Sequence, residues 1–226
     1  MNAELLTENM KAAIFDMDGT MVDSLPFFKI YWRRIGEVYF GDPSYRPPEY
    51  VDKRIRTTHF EKTCEFILEE LSLGTTYEEF YKFSTDLMTE FYERDAKLKT
   101  GVTEYLEYLR KKGIKLAVAS ASSIEYVRYN LTRYGIDKYF DAVVSCVDVG
   151  ASKEKPDVFL VAADMLSAKV SESCVFEDSF VALETAKAAG FLTVGIYDEG
   201  NYDHDRLEAA SAVYIKSGET FLDLIV

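Results

Sequence analysis

The hydrophobic positions of the chain follow one pattern over most of its length and another over an early segment. From residue 100 onward, short apolar runs rich in β-branched residues alternate with segments whose apolar positions recur every three or four residues. This alternation is typical of strand–helix–strand units and a parallel sheet. The predicted strands are Ala12–Phe15, Lys115–Ala119, Ala142–Cys146, Cys174–Phe176, Thr193–Tyr197 and Ala212–Ile215.

Helices of the α/β part are indicated by apolar stripes and by residues typical of helix ends. Ser122 and Glu125 have the spacing of a capping box, and Gly113 and Gly135 suit the glycine that often follows a helix. The stripes are Val102, Tyr105, Leu106 and Leu109, and later Val158, Phe159, Ala162, Ala163 and Leu166.

Residues 26 to 97 contain no convincing strand run but several helical signals. Cys64, Ile67, Leu68 and Leu71 form an apolar stripe, and Thr76 with Glu79 has capping-box spacing, whereas the proline-rich residues 41–50 predict a loop. We therefore expect an all-helical insertion at 23–97 in an α/β core made of 1–22 and 98–226.

Charge and composition argue against several classes of function. The chain has 226 residues, and 26 Lys+Arg against 39 Asp+Glu give a net charge of −13, which argues against a nucleic-acid partner and a basic membrane patch. No stretch approaches the roughly 20 apolar residues that span a bilayer, and the first residues lack the pattern of a secretory signal. We expect a cytoplasmic protein whose three cysteines are reduced and buried.

Candidate chemistry begins directly after the first predicted strand, at Asp16 and Asp18. Open α/β sheets bind ligands at the carboxyl ends of their strands, and a buried anionic pair there is costly without a cation. Mg²⁺ prefers such oxygen ligands and also accepts phosphate oxygens. Aspartate and glycine also make ordinary turns, so this segment alone leaves both interpretations open.

Three further polar groups follow later strands. They are Ser120–Ser122, the lysine-containing segment 152–157, and the acidic pair Glu177 and Asp178. Each alone also fits a structural role, as a helix cap or a charged loop. All of them in order, each at a strand end, favour a phosphate and metal site.

These segments resemble the haloacid dehalogenase superfamily, in the branch with a small helical cap inserted after the first motif. Its four motifs correspond to FDMDGT (15–20), AVAS (117–120), SKEKPD (152–157) and FEDS (176–179). The resemblance implies a three-layer, doubly wound parallel sheet with that cap. The third motif departs from the family's usual Gly-Lys-Pro-x-Pro-Asp: spacing from Pro156 selects Lys153 as the motif lysine, whereas the Lys-Pro dipeptide would select Lys155. We prefer Lys153, since it keeps the helix start in register.

The resemblance also implies a role for each matched residue. Asp16 would be the nucleophile that forms an aspartyl-phosphate, and Asp18 the general acid and base. Mg²⁺ would be held by Asp16, by Asp18 through its backbone carbonyl, and by Asp178, with Glu177 in support. The phosphate would be bound by Ser120, Ala121 and Lys153.

Three functions stay open: a phosphatase for a small phosphorylated metabolite, a sugar-phosphate mutase, and a non-catalytic binding module. Mutases of this branch carry a histidine twelve positions after the nucleophile, where this chain has Phe28. That difference favours the phosphatase. We expect a monomer or a weak homodimer. The Asp203-His204-Asp205 run suggests a metal site at first sight, but a solvated loop is the preferred interpretation.

Overall fold

A six-stranded, fully parallel sheet organises most of the chain in the computed structural model, which describes residues 2–56, 58 and 60–226. In chain order, the strands are β1 (Ala12–Phe15), β2 (Val22–Asp23), β3 (Lys97–Leu98), β4 (Lys115–Ser120), β5 (Ala142–Ser145), β6 (Ser173–Glu177), β7 (Leu192–Ile196) and β8 (Val213–Ile215). The sheet has the order β5-β4-β1-β6-β7-β8, while β2 and β3 form a separate antiparallel pair.

Eleven α-helices lie in the described ranges. They are α1 (Ala3–Asn9), α2 (Pro26–Ile35), α3 (Glu49–Ile55), α4 (Phe60–Leu71), α5 (Tyr77–Arg94), α6 (Val102–Lys111), α7 (Ile124–Arg133), α8 (Cys146–Val149), α9 (Asp157–Met165), α10 (Phe180–Ala188) and α11 (His204–Ala210). A π-helical turn, Gly36–Phe40, continues α2, and 3₁₀ turns occupy Asp137–Tyr139, Val170–Glu172 and Phe221–Leu224. None of these helices is both long and apolar enough to cross a bilayer.

Successive side chains of the central strands point to opposite faces of the sheet, and each face is buried. On one face, Ile14 and Val175 belong to a core that includes Phe159 of α9 and Leu183 of α10. On the other face, the rings of Phe15 and Phe176 stack at 4.3 Å between centroids, and Tyr105 of α6 and Phe221 pack beside them. Burial on both faces gives the three-layer α/β architecture that the sequence predicts.

All six predicted strands are present, with ends shifted by one residue at most, but one helix start is wrong. Ser123, not Ser122, caps α7, because its hydroxyl accepts a hydrogen bond from the backbone of Tyr126 at 3.3 Å. Ser122 instead turns its backbone N–H to the Ser120 hydroxyl at 3.1 Å. Cys146, predicted to end a strand, begins the short helix α8, since the Ser145 side chain caps that helix. The cysteines are buried and form no disulfide.

The chain divides into two compact units: residues up to Asp23 together with Lys97–Val226, and Ser24–Ala96. The second unit contains only helices and loops among its described residues. Its core is aromatic, with Phe27 stacked on Tyr31 and the Trp32 indole donating to Asp52 at 2.5 Å. The predicted capping box of Thr76 and Glu79 begins α5. The predicted loop 41–50 ends earlier, because α3 starts at Glu49.

Candidate active site

Three carboxylates meet where two neighbouring strands end. Asp16 follows β1, Glu177 is the last residue of β6, and Asp178 comes next. The register between β1 and β6 brings these residues together: Phe15 pairs with Phe176, and the backbone N–H of Asp16 donates to the Phe176 carbonyl at 3.0 Å. The chain continues from β1 towards β4 and from β6 towards β7, which lie on opposite sides, so this is the point where strand order reverses. Ligands bind at such a point in doubly wound sheets.

The three side chains form one tight, buried cluster. One carboxylate oxygen from each lies within 4.8 Å of the others, and Asp16, Glu177 and Asp178 are 6%, 1% and 6% exposed. Within the described residues no other cluster of three histidine, cysteine or acidic side chains has this spacing. His204, in the acidic run noted in the sequence, begins α11 instead of lying in a loop, and its ring packs on Tyr197.

Lys153 supplies a positive charge to this cluster. Its ammonium group donates to Asp16 and, at 2.5 Å, to Glu177, and its side chain is 13% exposed. Lys155, the alternative motif lysine, is exposed. Burial alone would lower the pKa of Lys153, but the charges of Asp16 and Glu177 raise it above its usual range. The remaining oxygen of Glu177 accepts from the Ser179 backbone at 2.9 Å.

Asp178 is held by neutral donors. The Thr20 hydroxyl donates to one of its carboxylate oxygens at 2.9 Å, and the Asn201 amide donates to the other at 2.7 Å. Gly19 lies directly against it: its backbone has a φ of +82°, and a Cβ at this position would stand 2.3 Å from Asp178 Oδ2. A glycine is therefore required here for both conformation and space.

Burial and crowding raise the pKa values of two of these acids. Burial is the main cause of the rise for Glu177, to about 7, with the charge of Asp16 adding to it and that of Lys153 opposing it. Burial also raises the pKa of Asp178, reinforced by the charges of Glu177 and Asp16. Without a further cation, Glu177 and Asp178 therefore retain protons at pH values where exposed carboxyl groups would lose them.

The residues present fit a divalent cation. When all three acids are ionised, three carboxylates and one ammonium leave two negative charges in the cluster. A divalent ion balances these two charges, and carboxylate oxygens are the hard ligands that Mg²⁺ prefers. Asp16 and Asp178 would hold the ion, with Glu177 beside them. The Asp18 carboxylate lies outside the cluster of three, so a contribution from Asp18 would come through its backbone carbonyl, as the resemblance implies.

The remaining predicted residues lie at the same edge of the sheet. Ser120 ends β4, the neighbour of β1 on its other side, and is buried, while Ala121 follows it and is exposed. Asp18 lies in the tight turn after β1, where it forms a backbone bridge with Val22. Asp16 and Asp18 thus follow β1, Ser120 ends the neighbouring strand β4, and Lys153, from the loop after α8, contacts Asp16.

Sequence reasoning missed Asn201 and the function of Thr20. Thr20 was inside a recognised motif, but its contact with Asp178 spans 158 positions and has no local signal. Asn201 lies in the loop after β7, outside all four motifs, and only the fold brings it to Asp178.

The close approach of Gly19 to Asp178 gives a first prediction. Gly19→Ala should lower protein stability by about 1–2 kcal/mol through its positive φ, and should also weaken Mg²⁺ binding, because the added methyl group displaces Asp178. Gly113→Ala is the matched control, since Gly113 has a φ of +76° and nothing within 4 Å of the added methyl group. Equal Mg²⁺ affinity of the two variants, measured by calorimetry, would contradict the prediction.

The raised pKa values give a second prediction, on stability against pH. An acid whose pKa is raised by folding binds more protons in the folded protein than in the unfolded chain. For Glu177, the resulting stabilisation is therefore complete below about pH 4.5, the usual pKa of glutamate, and it is lost as the pH rises through about 7. Denaturant titrations in EDTA should show stability falling from pH 5 to 8. Stabilisation by saturating Mg²⁺ should grow over the same range, because a metal ion would bind the deprotonated carboxylates.

An exposed acid provides the control for this pH series. Glu154→Gln changes a carboxylate outside the cluster and should leave both trends as they are in the wild type. A rise in the EDTA stability across pH 5 to 8, or a magnesium effect that does not depend on pH, would refute the interpretation of the cluster.

Comparisons with known proteins identify the family of this chain. The family model described as haloacid dehalogenase-like hydrolase matches residues 10–190. A phosphorylated carbohydrates phosphatase of Thermotoga maritima is 31% identical over 211 residues, covering 93% of this chain and 96% of that protein. A beta-phosphoglucomutase of Bacillus subtilis is 29% identical over 196 residues, covering 83% of each. The crystal structure of CbbY from Rhodobacter sphaeroides in complex with phosphate, 19% identical, shares the fold with a TM-score of 0.75 over 95% of this chain and 96% of that one. The chain therefore belongs to the haloacid dehalogenase-like hydrolase family.

Proposed function

We propose that the protein is a Mg²⁺-dependent phosphatase that hydrolyses a small phosphomonoester through an aspartyl-phosphate. The observation that carries this proposal is the contact of one mostly buried lysine, Lys153, with the candidate nucleophile Asp16 inside a cluster of three carboxylates. This combination of charges suits a dianionic phosphate only together with a cation. Bound Mg²⁺ would offset the repulsion between the carboxylates and the phosphate and would polarise a phosphoryl oxygen.

Two displacements would complete the reaction. In the first, an Asp16 oxygen attacks phosphorus, the bond from phosphorus to the ester oxygen breaks, and Asp18 gives its proton to the departing alkoxide. In the second, Asp18 takes a proton from a water molecule, which attacks the same phosphorus and releases inorganic phosphate and the Asp16 carboxylate. Each residue returns to its starting protonation state.

Lys153 and the end of β4 would stabilise the transferred group. An ammonium has three N–H donors, and two of those of Lys153 engage Asp16 and Glu177, so the ammonium stands beside the candidate nucleophile. A third donor would contact a phosphoryl oxygen, together with the Ser120 hydroxyl and the backbone at Ala121. Fixed donors of this kind lower the barrier mainly by electrostatics.

The substrate is proposed to be a small phosphorylated metabolite. A net charge of −13 disfavours binding of a polyanion through long-range attraction, whereas one phosphate needs only local donors and a metal. The Thermotoga maritima relative, named for phosphorylated carbohydrates, makes sugar phosphates the first class to test.

A mutase is the second candidate, because of the Bacillus subtilis relative. Phe28 counts against it. This residue lies in α2 with the Arg56 guanidinium 4.2 Å from its ring centroid, and its phenyl ring, unlike the imidazole of a histidine, has no proton to transfer. Incubating the protein with sugar monophosphates separates the two reactions. We expect release of inorganic phosphate. Isomerisation that depends on a bisphosphate and releases no phosphate would assign a mutase instead.

The nucleophile is tested by Asp16→Asn, which keeps the shape of the side chain and removes its charge. Phosphate release should fall by about a thousandfold or more, because the amide cannot attack phosphorus. Asp137→Asn, the same change at an exposed position, should retain wild-type activity. Both variants should be checked for folding by circular dichroism. Substantial Mg²⁺-dependent turnover by a folded Asp16→Asn protein would overturn the assignment.

A further inference from the structure

Asn201 donates two hydrogen bonds to Asp178. Its side-chain N–H₂ group donates to the Asp178 carboxylate at 2.7 Å and to the Asp178 backbone carbonyl at 2.8 Å. The orientation of the amide is fixed by its other end, because Asn201 Oδ1 accepts from the Tyr202 backbone at 3.0 Å. A flipped amide would place an oxygen against two acceptors. The contact therefore constrains both the position of the Asp178 backbone and the rotation of its carboxylate.

The loop that carries Asn201 is itself anchored by a mostly buried ion pair. Lys99 lies 2.8 Å from Asp198, with side chains 16% and 6% exposed, and also donates to the Tyr197 carbonyl at 3.2 Å. The other Asp198 oxygen accepts from the Gly200 backbone at 2.8 Å, and the Asp198 carbonyl accepts from the Asn201 backbone at 3.0 Å. The ion pair thus fixes a tight turn whose last residue is Asn201.

We infer that Asn201 is a positioning residue that holds Asp178 in the orientation for metal binding, and that the Lys99–Asp198 pair anchors it. The inference rests on the proposed function, since it assigns Asp178 to the metal. A primary amide suits this task because it offers two N–H donors without a charge. A lysine at this point would neutralise Asp178 and compete with the cation, whereas an aspartate would add a fourth carboxylate to the cluster.

The test is Mg²⁺ binding to the substrate-free protein, measured by calorimetry, for Asn201→Ala and Asn201→Ser. Residues that orient a metal ligand typically change affinity 10–100-fold. We expect the Mg²⁺ dissociation constant to rise at least about tenfold, with kcat at saturating Mg²⁺ within about threefold of the wild type. Asn9→Ala is the matched control, because the exposed Asn9 amide donates only within α1, to Leu5 at 2.7 Å. It should leave Mg²⁺ binding unchanged.

The anchor is tested by Lys99→Met, alone and combined with Asn201→Ala. Removing a nearby positive charge would by itself strengthen binding of a cation, so weaker Mg²⁺ binding by Lys99→Met identifies an effect on position. If Lys99 acts through Asn201, the double variant should bind Mg²⁺ no more weakly than Asn201→Ala alone. Tighter binding by Lys99→Met, or additive losses in the double variant, would refute the anchoring role.

The outcomes separate this inference from the proposed function. Wild-type affinity in both Asn201 variants, with an active wild-type enzyme, overturns the inference and leaves the phosphatase standing. Loss of kcat at saturating Mg²⁺ together with a lowered melting temperature in EDTA indicates a structural role and also overturns it. A wild-type protein that neither binds Mg²⁺ nor releases phosphate refutes the proposed function itself.

Discussion

The repulsion among three buried carboxylates is the constraint to which the rest of the site responds. Asp16, Glu177 and Asp178 would each prefer water, and placing them within 4.8 Å of one another adds mutual repulsion to the cost of burial. The raised pKa of Glu177, to about 7, reflects that cost. A protein selected for stability alone would not bury them together. The cluster is therefore a functional feature whose cost the surrounding core must offset.

Aromatic packing in the sheet, directly beneath the cluster, helps to offset the cost of burying the carboxylates. Phe15 and Phe176, the residues before Asp16 and Glu177, stack on each other and are fully buried, so the two strand ends are fixed by packing. Their carboxylates emerge where the chain leaves β1 and β6 in opposite directions, which is the position at which doubly wound sheets bind ligands. Rigid strands thus hold the charged groups, and the following loops contribute Thr20, Lys153 and Asn201.

The sequence predicts the parts of this arrangement that local pattern controls. Apolar runs give the strands, and because parallel strands end at one edge, residues such as Asp16, Ser120 and Glu177 are expected to lie close together. Contacts set by tertiary structure leave no such pattern. Asn201 reaches Asp178 only through the order of β6 and β7. The two-residue strands β2 and β3 are too short to show any periodicity. The choice of Ser123 over Ser122 as the cap of α7 depends on the hydrogen bonds that the Ser122 backbone makes with the Ser120 and Ser145 side chains.

The groups that donate hydrogen bonds to the side chains of the three acids differ in charge, and this difference matches the roles proposed for the acids. Lys153 contacts Asp16 and Glu177, whereas the hydrogen bonds to the Asp178 carboxylate come from a hydroxyl and an amide. In the proposed reaction, an ammonium beside Asp16 would stabilise the anionic nucleophile and then the phosphoryl group that it receives. Neutral donors hold Asp178 in place without cancelling its charge, so that charge stays available to a cation. Exchanging the two kinds of support would leave the net charge of the cluster unchanged, but it would place the lysine against the proposed metal ligand and away from the proposed nucleophile. The location of Lys153 therefore matters to the proposed reaction as much as the number of acids does.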